Sequence, residues 1–493
     1  MTLIGLLLRS SAILAVFTCS GIALAPAASA HPVYEAETLP WFDAGPLQPI
    51  VTASGETDPD IRGAWKSRGY GYILMIDDAG STRYQDGVQC YSLPREGGGQ
   101  SAMDSVDYRY FRMLRGGDAA IFQLLDGDTN VVFDRLDGLP QGCTTTPDAS
   151  APAVAAEFLD AFETHYAFFD RRLPGHSARA ARLEGLVQGG MSDAQLWDAL
   201  SLYMEGLSDS HTKLIGTVDG ERRRVQDGQG DTLPMIRNAE GGETTWLGGL
   251  IDQAKAKLGE TARHEAQDRI LWGLIDTPEG GRVGYLQVFV MGGFTPREDF
   301  GSDAWAAAEM AEFNRVMDEA LAAFQGADAV IVDLSNNRGG WDRVAKALPG
   351  RFTDTGFTGF TTQARGSGQA PFPNRIAPAE GPRFIGPVYL MTSDVTVSGG
   401  ELATMAFREL DNVTQVGGTT RGAFSTPLAK PLPNGWLLEL SNETFADQFG
   451  TVYEEKGIAP DIPLVVYPAD DAVAGHWRAV EQVAAMARGR QAD

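Results

Sequence analysis

Cysteine is scarce in this chain of 493 residues, which contains only three. No C-x-x-C pair occurs, and His264-Glu265 is followed by Asp268 where a zinc-binding H-E-x-x-H helix needs its second histidine. The phosphate-binding pattern G-x-x-x-x-G-K-[ST] is also absent. We therefore predict neither a catalytic metal nor a cofactor.

Positive charge is the second shortage, because 65 acidic residues face 40 basic ones and leave a formal net charge of -25. Such a surface repels nucleic acid and anionic lipid, which excludes both as expected partners. The one basic run is Arg222-Arg223-Arg224. We expect it to be a solvated loop, with contact to an acidic group of a substrate as the alternative.

Long apolar runs are confined to the N-terminus, where Leu3 to Ala25 is apolar apart from Arg9 and a few small polar residues, and Ala28-Ser29-Ala30 follows. This pattern predicts a signal peptide over 1–30, hence an exported protein that is periplasmic or secreted. Lipoprotein anchoring at Cys19 is the less favoured alternative, because Phe-Thr precedes that cysteine. Past residue 30 no run approaches the ~20 apolar residues of a membrane span.

Two cysteines, Cys90 and Cys143, remain after this cleavage. In an oxidising compartment they are expected to form a disulfide, although two buried thiols remain the alternative.

The length predicts two or three structural units. Residues 31–150 contain short runs of alternating aromatic and aliphatic residues separated by Gly-rich turns, which indicates an N-terminal β-rich domain, a small barrel or sandwich. Trp65, Tyr70 and Tyr72 are expected in its core, with a ligand-binding mouth as the alternative.

Helical periodicity follows over 151–215, with Val154, Phe158 and Phe162 on one side of a first helix and Ser192 capping another. In 216–493, apolar strands alternate with helices, which predicts an α/β sheet covered on both faces. The stretch 354–383 is predicted to be an irregular excursion because it is rich in glycine and proline.

Ser398 follows the apolar run "PVYLMT" and precedes Gly399, Gly400 and Glu401 at the start of a predicted helix. Ser-x-x-Glu is a capping box, so the serine can simply cap this helix. The same helix N-terminus can instead offer amide groups to an oxyanion. A second strand ends in "DLSNNRGG", where Gly339 and Gly340 allow close approach of a ligand.

A nucleophilic serine needs a base, and His211 is the one histidine within a compact polar segment, "LSDSHTKL". Ser210 to Lys213 also spells S-x-x-K, but the companion patterns of penicillin-binding enzymes are missing, as is the hydrolase pattern G-x-S-x-G.

The segments "VIVDLSNNRGG", "VYLMTSDVTVSGGELA", "VGGTTRGAFS" and "VYEEKGIAPDI" occur in this order. In order and spacing they resemble the C-terminal processing (tail-specific) serine peptidases over about 155–467. The resemblance implies a crotonase-like (ClpP-like) spiral of ββα units over 216–493, which would be the catalytic core, and a peptide or protein substrate.

One branch of this family uses a Ser-Lys dyad, but Ala423 stands here where that branch has its lysine. The other branch, which includes the tricorn core and retinoid-binding-protein-like peptidases, uses serine, histidine and glutamate with a second serine before the histidine. That resemblance assigns Ser398 as nucleophile, Ser210-His211 as the serine and base, and Glu454 as the acid.

In these roles His211 would take the proton of Ser398 and return it to the leaving amine. Glu454, directly or through Ser210, would orient the imidazole, with Glu455 as the competing acid. The amides of Gly399 and of Gly339 or Gly340 would form the oxyanion hole. We thus expect a serine endopeptidase with an acyl-enzyme intermediate; the alternative is a non-catalytic module of the same fold that binds a hydrophobic ligand or peptide. The oligomeric state stays open.

Overall fold

The computed structural model describes residues 44–52, 54–94, 101–277 and 280–489. The predicted signal peptide and Cys19 lie outside these residues. Within them, no helix combines the length and apolar character needed to cross a bilayer.

An antiparallel sheet of eight strands fills the N-terminal region. Its elements are β1 (Gln48–Pro49), β2 (Gly63–Ser67), β3 (Tyr72–Asp77), β4 (Gly80–Asp86), β5 (Cys90–Tyr91), the short helix α1 (Ala102–Ser105), β6 (Tyr110–Met113), β7 (Ala119–Gln123) and β8 (Val131–Leu136). The strand order is β1-β6-β7-β8-β2-β3-β4-β5. Because β1 and β5 are edges that do not pair with each other in the described residues, this is one open sheet and not the barrel or sandwich expected.

The aromatic residues of this sheet belong to the hydrophobic core, as predicted. Trp65 is fully buried, and Tyr70 and Tyr72 are 8% and 3% exposed. Cys90 and Cys143 are joined by a disulfide across a sequence separation of 53 residues.

Four helices follow the sheet, namely α2 (Ala151–His165), α3 (Phe169–Arg172), α4 (His176–Leu186) and α5 (Asp193–Met204). Ser192 caps α5 as predicted, because its hydroxyl accepts the N–H of Gln195. One hydrophobic cluster joins Phe122 of the sheet, Phe158 of α2 and Leu438 farther along the chain. The N-terminal sheet therefore shares its core with later parts of the chain.

The rest of the chain alternates strands and helices. In order these are β9 (Lys213–Val218), β10 (Glu221–Gln226), α6 (Thr232–Asn238), α7 (Gly242–Leu258), β11 (Arg263–Glu265), β12 (Ile270–Asp276), β13 (Arg282–Val288), α8 (Asp303–Ala323), β14 (Ala329–Asp333), α9 (Asp342–Ala347), β15 (Phe357–Ala364), β16 (Phe372–Ile376), β17 (Val388–Thr392), α10 (Gly399–Phe407), β18 (Val413–Gly417), β19 (Pro427–Pro431), β20 (Leu437–Ser441), β21 (Glu443–Ala446), β22 (Ile462–Pro463) and α11 (Ala472–Gly489).

A seven-stranded sheet, in the order β11-β12-β13-β14-β17-β18-β22, is the centre of this region. Its strands from β13 to β22 run parallel. Val330 and Val332 of β14 face one hydrophobic cluster, whereas Ile331 faces a second cluster that includes Trp477 of α11. The strand is apolar throughout because both of its faces are covered, which confirms the predicted α/β arrangement.

Two smaller sheets flank the central one, with the orders β10-β9-β20-β19 and β16-β15-β21. The second corrects the expectation for 354–383, since β15 and β16 form an antiparallel pair there. Pro373 lies in β16, which is an edge strand, where a residue without an N–H is tolerated.

Candidate active site

Ser398 lies in the sharp turn between β17 and α10, with φ 57° and ψ -125°. A positive φ is rare for serine and is strained. The turn is held from below by Glu401, a fully buried residue whose carboxylate accepts the N–H groups of Gly422 at 2.6 Å and Ala423 at 2.8 Å. Ser398 itself donates its N–H to the Ala423 carbonyl at 3.0 Å. The backbone therefore fixes Ser398 in a conformation that an ordinary helix cap does not need.

The Gly339-Gly340 turn packs directly against this serine. A Cβ atom on Gly339 would lie 2.5 Å from the Cβ of Ser398, and one on Gly399 would lie 3.2 Å from the amide nitrogen of Gly340. The N–H of Gly339 is already donated to the Asn337 side chain at 2.9 Å. Among the described residues, the N–H groups of Gly340 and Gly399 have no protein acceptor, so this pair is better suited than Gly339 to hold an oxyanion.

His211 lies in the loop between α5 and β9 and is 8% exposed. Burial of the imidazole lowers its pKa to about 4, although the nearby Asp209 carboxylate opposes this shift and a hydrogen bond with the Ser425 backbone also raises the pKa. The ring is therefore neutral at pH 7. Neither Nδ1 of His211 nor Oγ of Ser210 has a hydrogen-bond partner in the described part of the chain.

Glu454 is 1% exposed, whereas the competing Glu455 is exposed. The Glu454 carboxylate accepts hydrogen bonds from Arg172 Nη2 at 3.1 Å and from the N–H of Phe424 at 2.9 Å. Burial raises the pKa of Glu454 to about 8; the charge of Asp209 adds to this shift and Arg172 opposes it. No hydrogen bond to Ser210 or His211 is formed by Glu454 within the described residues, so the expected orienting contact stays a prediction.

Asp209 is a site residue that the sequence analysis did not assign. Its buried carboxylate accepts the main-chain N–H of His211 at 2.9 Å, and the hydroxyls of Tyr166 and Ser441 at 3.0 and 3.1 Å. Burial alone would raise the pKa of Asp209, but the charge of Arg172, together with the hydrogen bonds from the His211 N–H and the Thr212 hydroxyl, holds it below the ordinary value. Asp209 is therefore the ionised carboxylate of the cluster. Its position two residues before His211 was the available signal.

Arg172 was also missed, because α3 is 37 residues before Asp209 and nothing local in the sequence links them. Its guanidinium is 5% exposed and donates to the carbonyls of Ser208 and Gly422 as well as to Glu454. One cation therefore serves two buried carboxylates.

A short segment, Ala423-Phe424-Ser425, connects the parts of the site. Ala423 accepts the N–H of Ser398, Phe424 donates to Glu454, and the Ser425 backbone is close enough to the His211 ring to raise its pKa. The segment thus hydrogen-bonds to the Ser398 backbone and to the Glu454 carboxylate, and it lies near the His211 ring. Ser210 lies in the same loop as His211, and the Ser210 carbonyl accepts a hydrogen bond from the Gln226 side chain.

Residues 282–464 match the model of peptidase family S41. This stretch is a family S41 peptidase domain. The match contains Ser398, Glu454 and the Gly339-Gly340 turn, but it begins after His211. For this stretch the predicted resemblance to the C-terminal processing peptidase family is confirmed, and with it a serine-type peptidase with the predicted α/β fold.

One solved structure shows a similar fold over more of the chain than residues 282–464. A candidate peptidase from Parabacteroides merdae is 20% identical, with a TM-score of 0.54 over 69% of this chain and 97% of that one. A lipoprotein from Streptococcus agalactiae is 14% identical (TM-score 0.40; 72% of this chain, 99% of that one). The photosystem II D1 C-terminal processing protease is 12% identical (TM-score 0.38; 66% and 96%). No curated protein sequence matches the chain.

Proposed function

We propose that the chain is an exported serine endopeptidase in which Ser398 is the nucleophile and His211 is the general base. This proposal is supported by the Ala423-Phe424-Ser425 segment, which hydrogen-bonds to the Ser398 backbone and the Glu454 carboxylate, and whose Ser425 backbone raises the pKa of His211. Far-apart parts of the chain are brought together there, next to two unengaged amides.

The reaction begins when the neutral imidazole of His211 takes the Oγ proton of Ser398 as that oxygen attacks the scissile carbonyl. The developing oxyanion is held by the N–H groups of Gly340 and Gly399, and one such donor contributes ~3 kcal/mol of transition-state stabilisation. His211 then gives the proton to the leaving amine, and the acyl-enzyme on Ser398 is hydrolysed by a water that His211 activates in the same way.

The carboxylates have different tasks in this proposal. Asp209 is ionised and close to His211, so it stabilises the imidazolium that forms during attack. Glu454 orients His211 through Ser210, whose buried Oγ is unpartnered among the described residues and lies in the same loop. The positive charge of Arg172 interacts with both carboxylates and so offsets the repulsion between Asp209 and Glu454.

Export is supported by the apolar segment before Ala28-Ser29-Ala30 and by the Cys90 to Cys143 disulfide, which is typical of an oxidising compartment. Secretion and periplasmic retention are both compatible with these features.

The test is covalent labelling with a fluorophosphonate together with a peptide hydrolysis assay. The wild-type protein should be labelled once, at Ser398, and Ser398→Ala should abolish both labelling and turnover while the circular dichroism spectrum is unchanged. Ser177→Ala is a matched control, since its Oγ lies 3.4 Å from His176 Nε2 on an exposed helix and it should retain both. Ligand or peptide binding without any labelling would favour the non-catalytic binding module instead.

A further inference from the structure

The hairpin of β9 and β10 places an arginine-rich edge strand next to the loop of residues 205–212, which carries Ser210 and His211. We call it the catalytic loop, in line with the proposed function. Strand β10 is at the edge of its four-stranded sheet, and it contains Arg222, Arg223 and Arg224. The sequence suggested a solvated loop for this run, but it is a regular strand. In the part of the chain that the structure describes, the side chains of Arg223 and Arg224 form no ion pair or hydrogen bond.

The backbone of β10 is oriented for strand addition. Asp219 and Gly220, with φ of 52° and 81°, form a two-residue hairpin loop that makes Val218 and Glu221 a hydrogen-bonded pair. Pairs alternate in an antiparallel ladder, so the N–H and C=O of Arg224 point away from β9. No described strand lies on that side of β10.

This strand leads to the catalytic loop. Gln226, its last residue, pairs with Lys213 and donates its side-chain amide to the carbonyl of Ser210. Arg224 lies two residues earlier, ~7 Å along the strand at ~3.4 Å per residue. A peptide laid along β10 would therefore reach His211 within about four or five residues of Arg224.

We propose that β10 is a substrate-binding edge that takes an acidic, extended segment of the substrate as an added strand. Main-chain hydrogen bonds would come from the outward-facing groups of β10 around Arg224, and the side chains of Arg223 and Arg224, on its two faces, would meet acidic side chains. Charge complementarity argues for this occupant, because a cluster of three arginines is unusual on a chain with a net charge of -25.

The strand pairs of this sheet are all antiparallel, so the added segment should be antiparallel to β10 as well. Its N-terminal end then lies nearest the catalytic loop. The acidic residues are therefore expected on the C-terminal side of the scissile bond. This inference rests on the proposed peptidase function, but the binding part of its test does not.

The kinetic test compares fluorogenic peptides that share a cleaved core and carry an Asp/Glu tract about five residues after the bond, the same tract before it, or a Ser tract. The wild-type kcat/KM should be highest with the C-terminal acidic tract. Arg223→Glu/Arg224→Glu should lower the acidic-to-neutral ratio of kcat/KM roughly tenfold at low salt, and less at high salt. The control Arg182→Glu/Arg263→Glu carries the same charge change at exposed sites and should keep the wild-type ratio.

The binding test uses the Ser398→Ala protein and a labelled acidic peptide followed by fluorescence anisotropy, so it does not depend on turnover. N-methylation of alternate peptide residues should weaken binding in only one of the two alternating sets, because only one set faces β10. Three results would each overturn the proposal. The acidic-to-neutral ratio of kcat/KM could be unchanged in Arg223→Glu/Arg224→Glu, the wild type could prefer the N-terminal tract, or the two methylated sets could weaken binding equally. If no peptide is cleaved but the acidic peptide binds as described, the peptidase assignment fails and the binding edge stands.

Discussion

Arg172 and Glu454 form a buried ion pair between α3 and the loop that follows β21, with Nη2 and Oε1 3.1 Å apart. Their side chains are 5% and 1% exposed. Because Arg172 also donates to the carbonyl of Ser208, directly before Asp209, the pair fixes the catalytic loop against the Glu454 loop. This contact joins elements that have no sequence proximity.

Loss of this cation should be costly. Arg172 also lowers the pKa of the buried, ionised Asp209 carboxylate, so Arg172→Met leaves that charge without this cation and should lower the free energy of unfolding by about 3 kcal/mol or more, measured by urea denaturation at pH 7. Arg182→Met, on the exposed surface of α4, is the control and should have little effect. The double variant Arg172→Met/Asp209→Asn should recover part of the loss, because it removes the unpaired carboxylate. If the loss of unfolding free energy in the double variant equals the sum of the losses in the two single variants, charge pairing is not the cause.

The low pKa of His211 should appear in the pH dependence of kcat/KM. An imidazole with an ordinary pKa of about 6.5 is about nine-tenths protonated at pH 5.5 and could not act as a base. Because burial lowers the pKa of His211 to about 4, kcat/KM at pH 5.5 should stay above half its value at pH 7. Initial rates well below KM, at constant ionic strength, measure this. An acid limb centred near pH 6.5 would contradict it.

Asp209 provides the companion measurement, since its charge raises the pKa of His211. Asp209→Asn should therefore move the acid limb to lower pH, and it should also lower the plateau because the imidazolium loses its nearest anion. A limb that moves to higher pH would show that Asp209 does not act on His211 electrostatically.

The fit between Gly339 and Ser398 can be tested with one methyl group. In Gly339→Ala the new Cβ would lie 2.5 Å from the Cβ of Ser398, so the serine must move, and kcat/KM should fall at least a hundredfold. Gly366→Ala is a matched control, because its φ of 70° is similar to the 78° of Gly339 but no atom lies within 4 Å of its added Cβ. The positive φ should cost each variant about 1 kcal/mol of stability, and Gly339→Ala should lose more because its Cβ also overlaps Ser398. Equal fluorophosphonate labelling rates in the two variants would contradict the idea.

Local pattern was sufficient to predict the units that bear Ser398 and Gly340. Each unit is a buried apolar strand that ends in a glycine-containing turn before a helix, and both strand and turn leave a signature within about ten residues. The open N-terminal sheet was not predictable in this way, because closure into a barrel depends on whether β1 pairs with β5. That pairing joins residues about forty positions apart.

The site was predictable only where residues are neighbours in sequence or match the family segments. Asp209 was visible two positions before His211 but had no partner to suggest its role. Arg172 could not be found, since its contacts with Ser208, Gly422 and Glu454 span up to 282 residues. The prolines and glycines of 354–383 concealed β15 and β16 because proline at an edge strand looks the same in sequence as proline in a loop.

The loop between β7 and β8 connects the N-terminal sheet to the oxyanion turn. Asp128 accepts the Trp341 indole N–H at 2.6 Å, and the Gly127 carbonyl accepts from Lys346 Nζ at 2.6 Å. Trp341 directly follows Gly340 and donates its own N–H to the Met291 carbonyl at 2.7 Å. The N-terminal sheet therefore supports the segment that carries one of the proposed oxyanion donors.

Asp128→Ala should loosen this support and lower kcat severalfold with a smaller change in KM, because the Gly340 amide is used mainly in the transition state. Asp128→Asn keeps an acceptor for the indole and should retain most of the activity. Asp137→Ala, at an exposed carboxylate directly after β8, should behave as wild type. Steady-state kinetics and thermal melting of the three variants separate two outcomes. A lower melting temperature with unchanged kcat would mean that the loop stabilises the fold without positioning Gly340, whereas a lower kcat at an unchanged melting temperature would assign the N-terminal sheet a part in catalysis.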